Sequence, residues 1–420
     1  MTHTEPAAPA TCPVTGAAAA ATDTTDSTGH GTDPLVVDFP LRAPGIPFPP
    51  PEYADYRDKK GLVLSHLPDG KRVWLVTRHE DVRAVLTHPA ISSNPQHPGF
   101  PNVGETIGVP RQDQVPGWFV GMDSPEHDRF RKALIPEFTV RRVRAMKPAI
   151  ERTVDAQLDA MLAAGNTADL VADFTLPIPS LVISALLGVP PADREFFESR
   201  TRVLVSFRAY SDEDRMAAGK DLMRYINRLI EIKKNWGGDD IVTRLLATGA
   251  IGAHEMSGVL MLLLIAGHET TANNIALGVV TLLKNPQWIG DERAVEETLR
   301  FHSVADLVSL RVAVEDVEIA GQHIKAGEGI VPLVAAANHD EELFACPHAF
   351  DPSRSARGHV AFGYGVHQCL GQNLVRVEME VAYRKLFERI PNLRLDVPED
   401  GLNIKYDGVL YGLHELPVRW

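Results

Sequence analysis

One ten-residue stretch constrains this chain more than any other. Phe362-Gly-Tyr-Gly-Val-His-Gln-Cys-Leu-Gly371 sets a cysteine among glycines, directly ahead of a proline-free helical pattern over residues 372–389. Gly363 and Gly365 let the backbone turn tightly and approach a flat ligand closely, and Gly371 leaves room for that ligand where the helix starts. The free N–H groups of the helix N-terminus are expected to stabilise a thiolate at Cys369, lowering its pKa and preparing it as a metal ligand. Taken alone, Cys369 fits a buried, inert thiol equally well.

Composition narrows the class. A chain of 420 residues exceeds one minimal domain, yet residues 35–420 run on without a break and are long enough for one large buried unit. The 44% hydrophobic and 23% charged residues are globular values. A formal net charge of −13 supplies no broad basic surface for nucleic acid, so small molecules or proteins are the expected partners. Cys12, Cys346 and Cys369 are odd in number and widely spaced, which gives neither a disulfide framework nor a zinc pattern. Cys12 and Cys346 are expected to do nothing chemical. The start carries no basic n-region, and the alanines at 17–21 are too short a run for a signal peptide. The apolar run 259–266 falls far below the ~20 residues of a membrane span. A cytoplasmic protein without a membrane contact is expected.

Residues 1–34 hold no Leu, Ile, Phe, Tyr or Trp and read as a disordered tail. Residues 62–67 and 72–76 read as two strands joined by a tight turn. Helix-spaced apolar positions then cover residues 80–88 and most of 127–300, interrupted by Pro- and Gly-rich connections. The connection 94–121 is long enough to be a lid or binding loop, with Phe100, Trp118 and Phe119 available to face a ligand. Short β-like runs at 317–319 and 329–334 follow. The class is mainly α with small β-sheets.

Three further patterns carry chemistry. Glu297 and Arg300 share one helix face at i, i+3, a spacing that on a surface contributes only ~0.2–0.5 kcal/mol. Ala266-Gly-His-Glu-Thr-Thr271 breaks the apolar face of a long helix over about residues 256–284 with an acid and two hydroxyls. Gly267 leaves a gap there, and a threonine hydroxyl beside an acid can steer water and protons. His127 and Arg131 stand one helical turn apart behind Met122-Asp-Ser-Pro-Glu126, a capped-looking helix start. A solvated basic face fits this last pair equally well.

Phe-x-x-Gly-x-x-x-Cys-x-Gly, met here as Phe362, Gly365, Cys369 and Gly371, resembles the haem-binding signature of cytochromes P450, and the likeness extends over about residues 35–420. The resemblance implies a triangular helical prism enclosing haem b, with Cys369 as the axial thiolate, which donates electron density and favours O–O cleavage. It implies that Glu297, Arg300 and Arg354 form a structural cluster steadying the cysteine loop. His127, Arg131, Arg311 and His359 match propionate contacts, and Ala266 lies against the haem. Glu269 and Thr270 match the proton-delivering acid–alcohol pair, and Leu263, Gly267, Val304, Val308 and Leu410 match substrate contacts. Asp306 either bonds a polar substrate group or caps its turn. The family usually has Arg at His339 and Ala at Val375, and residues 286–296 run several residues short of it.

The implied activity is monooxygenation of a small organic substrate, such as a secondary metabolite, macrolide, steroid-like compound or xenobiotic, with O2 and electrons from a separate ferredoxin and its NAD(P)H-dependent reductase. Residues 127–147 hold Arg129, Arg131, Lys132, Arg141, Arg142, Arg144 and Lys147 against Asp128 and Glu137, a surface on which an acidic ferredoxin can dock. A monomer is expected. A nitrogen-oxide reductase, a peroxide-driven peroxygenase and a non-catalytic haem sensor are the alternatives, and the Glu269-Thr270 pair weighs against the first.

Overall fold

The structure, a computed structural model, describes residues 48–58, 61–67, 70–102, 115–205, 210–406 and 410–420, with residues 36–38 and 205 as backbone only. The expected tail 1–34, Cys12, residues 103–114 of the long connection and Val409 lie outside the described residues.

A helix that is apolar on every side must be buried on every side. Ala253–Lys284 is that helix: from Met256 to Leu282 most of its side chains are buried in the main core. Around it pack the helices Pro177–Leu187, Asp212–Trp236, Arg293–His302 and Gln372–Arg389. The closest approach is at Gly278, where a Cβ would stand 1.8 Å from the Tyr383 hydroxyl. Tyr383 uses that proximity to donate a hydrogen bond to the Asn274 carbonyl at 2.8 Å. Along its other face, Gln372–Arg389 meets Val140–Ala164 through four ion pairs in register: Lys147–Glu380, Glu151–Arg384, Asp155–Lys385 and Asp159–Arg389.

The expected strand pair forms. Leu62–His66 runs antiparallel to Arg72–Val76, and the sheet grows to six strands by adding Gly329–Pro332, Arg311–Ala313, Ile91–Ser92 and, on the other edge, Val36–Asp38. Alternate residues face opposite sides. Leu64, Trp74, Val76 and Ile330 enter one cluster, and Val63, Val73, Leu75 and Val331 enter another, so the central strands are covered on both faces. Three smaller sheets complete the β-structure among the described residues.

Two local expectations are corrected. The run 329–334 is no single strand: pairing with Arg72–Val76 ends at Pro332, the Leu333 N–H gives a last bond to the Val76 carbonyl at 2.9 Å, and the helix Val334–Asn338 follows. The helix Glu126–Leu134 has no side-chain cap. Asp123 instead accepts the Ser93 N–H at 2.8 Å and the Ser92 hydroxyl, and Ser124 donates to Asp128 at 2.9 Å.

Candidate active site

The cysteine loop is pinned from below. Gly365 has φ +73°, and a Cβ there would stand 2.8 Å from the Leu86 carbonyl, so the loop lies against the helix His79–Thr87 through a position only glycine fits. Cys369 donates its N–H to the Phe362 carbonyl at 2.8 Å. Its sulfur faces the start of Gln372–Arg389, and the backbone N–H groups of Gly371 and Gln372 are bonded to it. The expectation of a lowered thiol pKa is corrected. Burial pushes the Cys369 thiol up, and it outweighs the opposing pull of the Gly371 N–H, the Arg131 and Arg376 charges and the Gln372 N–H. A coordinating metal ion deprotonates a thiol outright, so this penalty on the free thiolate does not oppose ligation.

A stripe of accessible positions opens in the middle of the otherwise buried central helix. Leu263, Gly267 and Thr270 are half-buried and Ala266 is exposed, all at helical spacing on one face. Leu263 on this side, and Phe362 and Leu370 from the cysteine loop, border the same core cluster. Accessibility this deep is what a large internal group needs on either side of it.

Cationic groups gather beside the loop. Arg311 is 6% exposed, and the hydrogen bond of its guanidinium goes to the Leu310 carbonyl at 2.8 Å. Burial pushes its pKa down to about 10, against the pull of Asp123. Burial lowers Arg131 as well, and the Cys369 sulfur is the charge that opposes this. Among the described residues neither guanidinium bonds a carboxylate. The buried His127 ring stands 4.1 Å from the ring of His367, whose Nε2 is 2.9 Å from the Ser93 hydroxyl. Burial, with Arg311, His127 and Arg131 nearby, pushes His367 down to about 3. His367 was missed in the sequence, where its one signal was a place two residues ahead of the cysteine. His359 lies apart from this group. Its Nε2 is 3.2 Å from Glu296, its ring tilts against Phe362, and Glu296 is held by Arg376 through two 2.8 Å bonds.

Glu297 and Arg300 are not the surface pair their spacing permits. Both are fully buried, joined by two 2.8 Å bonds, and Arg354 reaches the same carboxylate at 2.9 Å. The cluster also bonds the carbonyls of Asn338, Pro347, Cys346 and Ala349 and the N–H of Asp351. Removing one partner from such a buried set costs about 3–5 kcal/mol. Cys346, expected to be inert, is disulfide-bonded.

Thr270 donates its hydroxyl to the Ala266 carbonyl at 2.8 Å. Buried Glu269 accepts from Lys405 at 2.6 Å, and Lys405 stands 3.4 Å from Asn273. Nothing in the sequence linked Lys405, 136 positions away, to the acid. Val304 is buried, its carbonyl accepts the Tyr411 N–H at 2.9 Å, Leu410 is half-buried and Val308 is 49% exposed. Asp306 serves the fold: fully buried, it accepts from Tyr53 at 3.2 Å and from the Ala335 N–H at 2.7 Å. Trp118 and Phe119 are buried in the main core, where Phe119 stacks on Phe130, and Phe100 packs against the cluster around Tyr53.

A family model described as Cytochrome P450 matches residues 292–416. Pentalenic acid synthase of Streptomyces avermitilis is 46% identical over 384 residues, covering 89% of this chain and 94% of that protein. The 20-oxo-5-O-mycaminosyltylactone 23-monooxygenase of Streptomyces fradiae is 40% identical over 416 residues, 96% of each chain. The crystal structure of cytochrome P450 MoxA from Nonomuraea recticatena superposes with a TM-score of 0.87 at 43% identity, covering 91% of this chain and 98% of that one. With near full-length relatives at these identities, on a mainly helical fold built around a half-buried cysteine, this chain belongs to the cytochrome P450 family and is a monooxygenase.

Proposed function

We propose that this enzyme inserts one oxygen atom of O2 into a small organic substrate, using haem b held by Cys369. The observation that carries the reading is the pairing of Cys369, at a helix start, with two guanidinium groups, buried Arg311 and half-buried Arg131, that bond no carboxylate among the described residues. An unpaired buried charge is costly, and a ligand carrying carboxylates beside a metal ion relieves it. The donor set therefore fits haem: a sulfur for the iron, cations for the propionates, and glycine and alanine where the plane needs room. When bound, the haem supplies the centre at which O2 is held and activated.

The chain's own residues do the rest. Arg131, Arg311, His127 and His367 take the propionates; a propionate role for His359 requires its ring to exchange Glu296 for the cofactor. Phe362, Gly365 and Gly371 shape the sulfur side, and Ala266 with Gly267 keeps the opposite side open. Glu297, Arg300 and Arg354 brace the segment that leads into the loop. Glu269 passes protons inward, and the Thr270 hydroxyl, once released from the Ala266 carbonyl, holds the water that hands them on. Leu263, Val304, Val308 and Leu410 border the substrate, and the relatives' names favour a secondary metabolite.

Electrons come from a separate ferredoxin and its NAD(P)H-dependent reductase, and the enzyme works as a cytoplasmic monomer. The docking patch is smaller than the sequence count. Arg129 pairs with Glu255, Arg142 with Glu137 and Asp239, Lys147 with Glu380, and Arg131 belongs to the cysteine site. Lys132, Arg141 and Arg144 stay exposed, with Ile135 and Val140 as exposed apolar neighbours in sequence.

The test is the carbon monoxide spectrum of the reduced protein. Wild type is expected to give the thiolate-ligated band and Cys369→Ser to lose it. An unchanged spectrum in the variant, or a wild type that takes up no haem, refutes the assignment. Spectral shifts across macrolides, terpenoids, steroids and aromatic compounds then identify the substrate class.

A further inference from the structure

Arg376, near the start of Gln372–Arg389, uses both edges and the face of its guanidinium beside the cysteine loop. Nη1 donates to the Gln372 carbonyl at 3.3 Å and to the Gln372 side-chain oxygen at 3.1 Å. The flat face lies 4.6 Å from the centre of the Phe362 ring. The other edge, Nε and Nη2, donates to the two oxygens of Glu296 at 2.8 Å each. Phe362 and Gln372 are both bonded to Cys369. Cys369 gives its N–H to the Phe362 carbonyl at 2.8 Å, and the Gln372 N–H is bonded to the sulfur. One side chain thus holds a residue on each side of the thiol.

Glu296 secures this arrangement from two sides. His359 Nε2 stands 3.2 Å from the same carboxylate, and the His359 side chain is 2% exposed. Its Nδ1 accepts the Ala361 N–H at 3.1 Å, which leaves the proton of the neutral ring on Nε2, facing Glu296. The ring tilts against Phe362 with centroids 5.8 Å apart. Phe362 is therefore flanked by a guanidinium and an imidazole that share one carboxylate. Burial opposes a charge on Glu296, and the hold of Arg376 and His359 outweighs it, keeping the carboxyl well below its usual range. Glu296 directly precedes Glu297, the acid of the buried cluster, so both networks start from one turn of Arg293–His302.

We propose that Arg376 is a positioning residue for the Cys369 ligand: it fixes Phe362 and Gln372 about the sulfur, and the balance of its charge against Glu296 sets the reduction potential of the haem. The inference rests on the haem-thiolate reading and adds to it the pair that tunes the ligand. A positive charge beside a ligating sulfur draws on its electron density, so the metal takes up an electron more readily. The Glu296 carboxylate, on the far edge of the guanidinium, opposes that pull. Lysine cannot stand in for Arg376, because an ammonium has neither a flat face for Phe362 nor a fork for Glu296.

Three variants of the holoenzyme test this, read by potentiometric titration and by the carbon monoxide spectrum. Arg376→Met removes the positive charge and is expected to lower the haem reduction potential. Glu296→Gln keeps an oxygen for Arg376, removes the opposing charge and is expected to raise it. Each shift is expected to be about tenfold in the one-electron equilibrium, or ~59 mV, and the double variant to return close to wild type. All three are expected to keep the thiolate-ligated band. Unchanged potentials, shifts in the same direction, or an equal loss of that band in both single variants overturn the proposal. Should Arg376→Met take up no haem, Glu296→Gln decides alone: a raised potential supports the assignment, and an unmoved or lowered one overturns it. A wild type without the thiolate band refutes the haem-thiolate reading, and this inference falls with it. A wild type with the band and variants without opposite shifts refute the inference alone.

Discussion

At the scale of single residues, a few side chains are held against their own chemistry. Arg311 carries a charge where burial opposes one, and Cys369 is a thiol pushed up by burial although two N–H groups and two guanidinium groups favour its thiolate. Both tensions are relieved by the same ligand, which is why they support one site better than either supports a role alone. Thr270 is the opposite case, its hydroxyl already satisfied by the Ala266 carbonyl. If it delivers protons, Thr270→Ala removes a function and little stability. Its expected outcome is NADPH consumption uncoupled from product, with hydrogen peroxide released and haem content unchanged. Full coupling in Thr270→Ala, measured as product formed per NADPH consumed, removes Thr270 from the mechanism. The sequence pointed to Thr270 and Cys369 through their neighbours. It was silent on Lys405 and His367, because a partner across the fold leaves no trace in local spacing.

At the scale of elements, the central helix and the last helix are fitted to each other by one missing side chain. Gly278→Ala places a methyl where the Tyr383 hydroxyl already stands. Overpacking of this kind costs about 1–3 kcal/mol, and here it also disturbs the bond from Tyr383 to the Asn274 carbonyl. Thermal melting of Gly278→Ala should show a lowered Tm, recovered in part by pairing it with Tyr383→Leu. A Tm equal to wild type would mean the two helices are not packed as described. The ion-pair ladder between the last helix and Val140–Ala164 is a weaker contact, since partly exposed pairs contribute about 0–1 kcal/mol each. The helical character of 80–88 and most of 127–300, the central helix and the last helix were legible from apolar spacing and from glycine and proline breaks, whereas the short helices Glu52–Asp58 and Val334–Asn338 were not. Which helices pair was not, because the contact at Gly278 joins residues more than a hundred positions apart.

For the whole molecule, buried titratable groups set the pH at which the fold is most stable. His268 and His302 are pushed by burial down to about 4 and about 3 from an ordinary 6.5. They are neutral in the fold and take protons on unfolding. Their stabilisation is present above pH 6.5 and is lost as pH falls, at up to about 1.4 kcal/mol per pH unit each. Buried Glu378 runs the other way, with its carboxyl pushed up from 4.5 to about 8. Its contribution is present below pH 4.5 and is lost as pH rises through about 8. Unfolding free energy measured in denaturant should therefore peak near pH 6.5, and Glu378→Gln should abolish the decline above it. A flat profile from pH 5 to 8 contradicts these assignments. The exposed charges act outward. Reversing Arg141 and Arg144 to Glu should slow electron transfer from an acidic ferredoxin, most at low ionic strength, and leave the haem spectrum unchanged. Unaltered electron transfer removes the patch.

By itself the sequence determined the mainly helical class, the strand pair at 62–76, the long central helix, the cysteine before the last helix and the family signature. Each of these is encoded in residues close together along the chain, through periodicity, glycine freedom or fixed spacing. Only the tertiary structure decided that Asp306 belongs to the fold, that burial outweighs the helix N-terminus at Cys369, and that His367 joins Arg311, Arg131 and His127 while His359 pairs with Glu296. Burial and desolvation depend on what the rest of the chain places around a group. A pattern of residue types shows which charges a site contains, and only the packed fold shows what each of them costs.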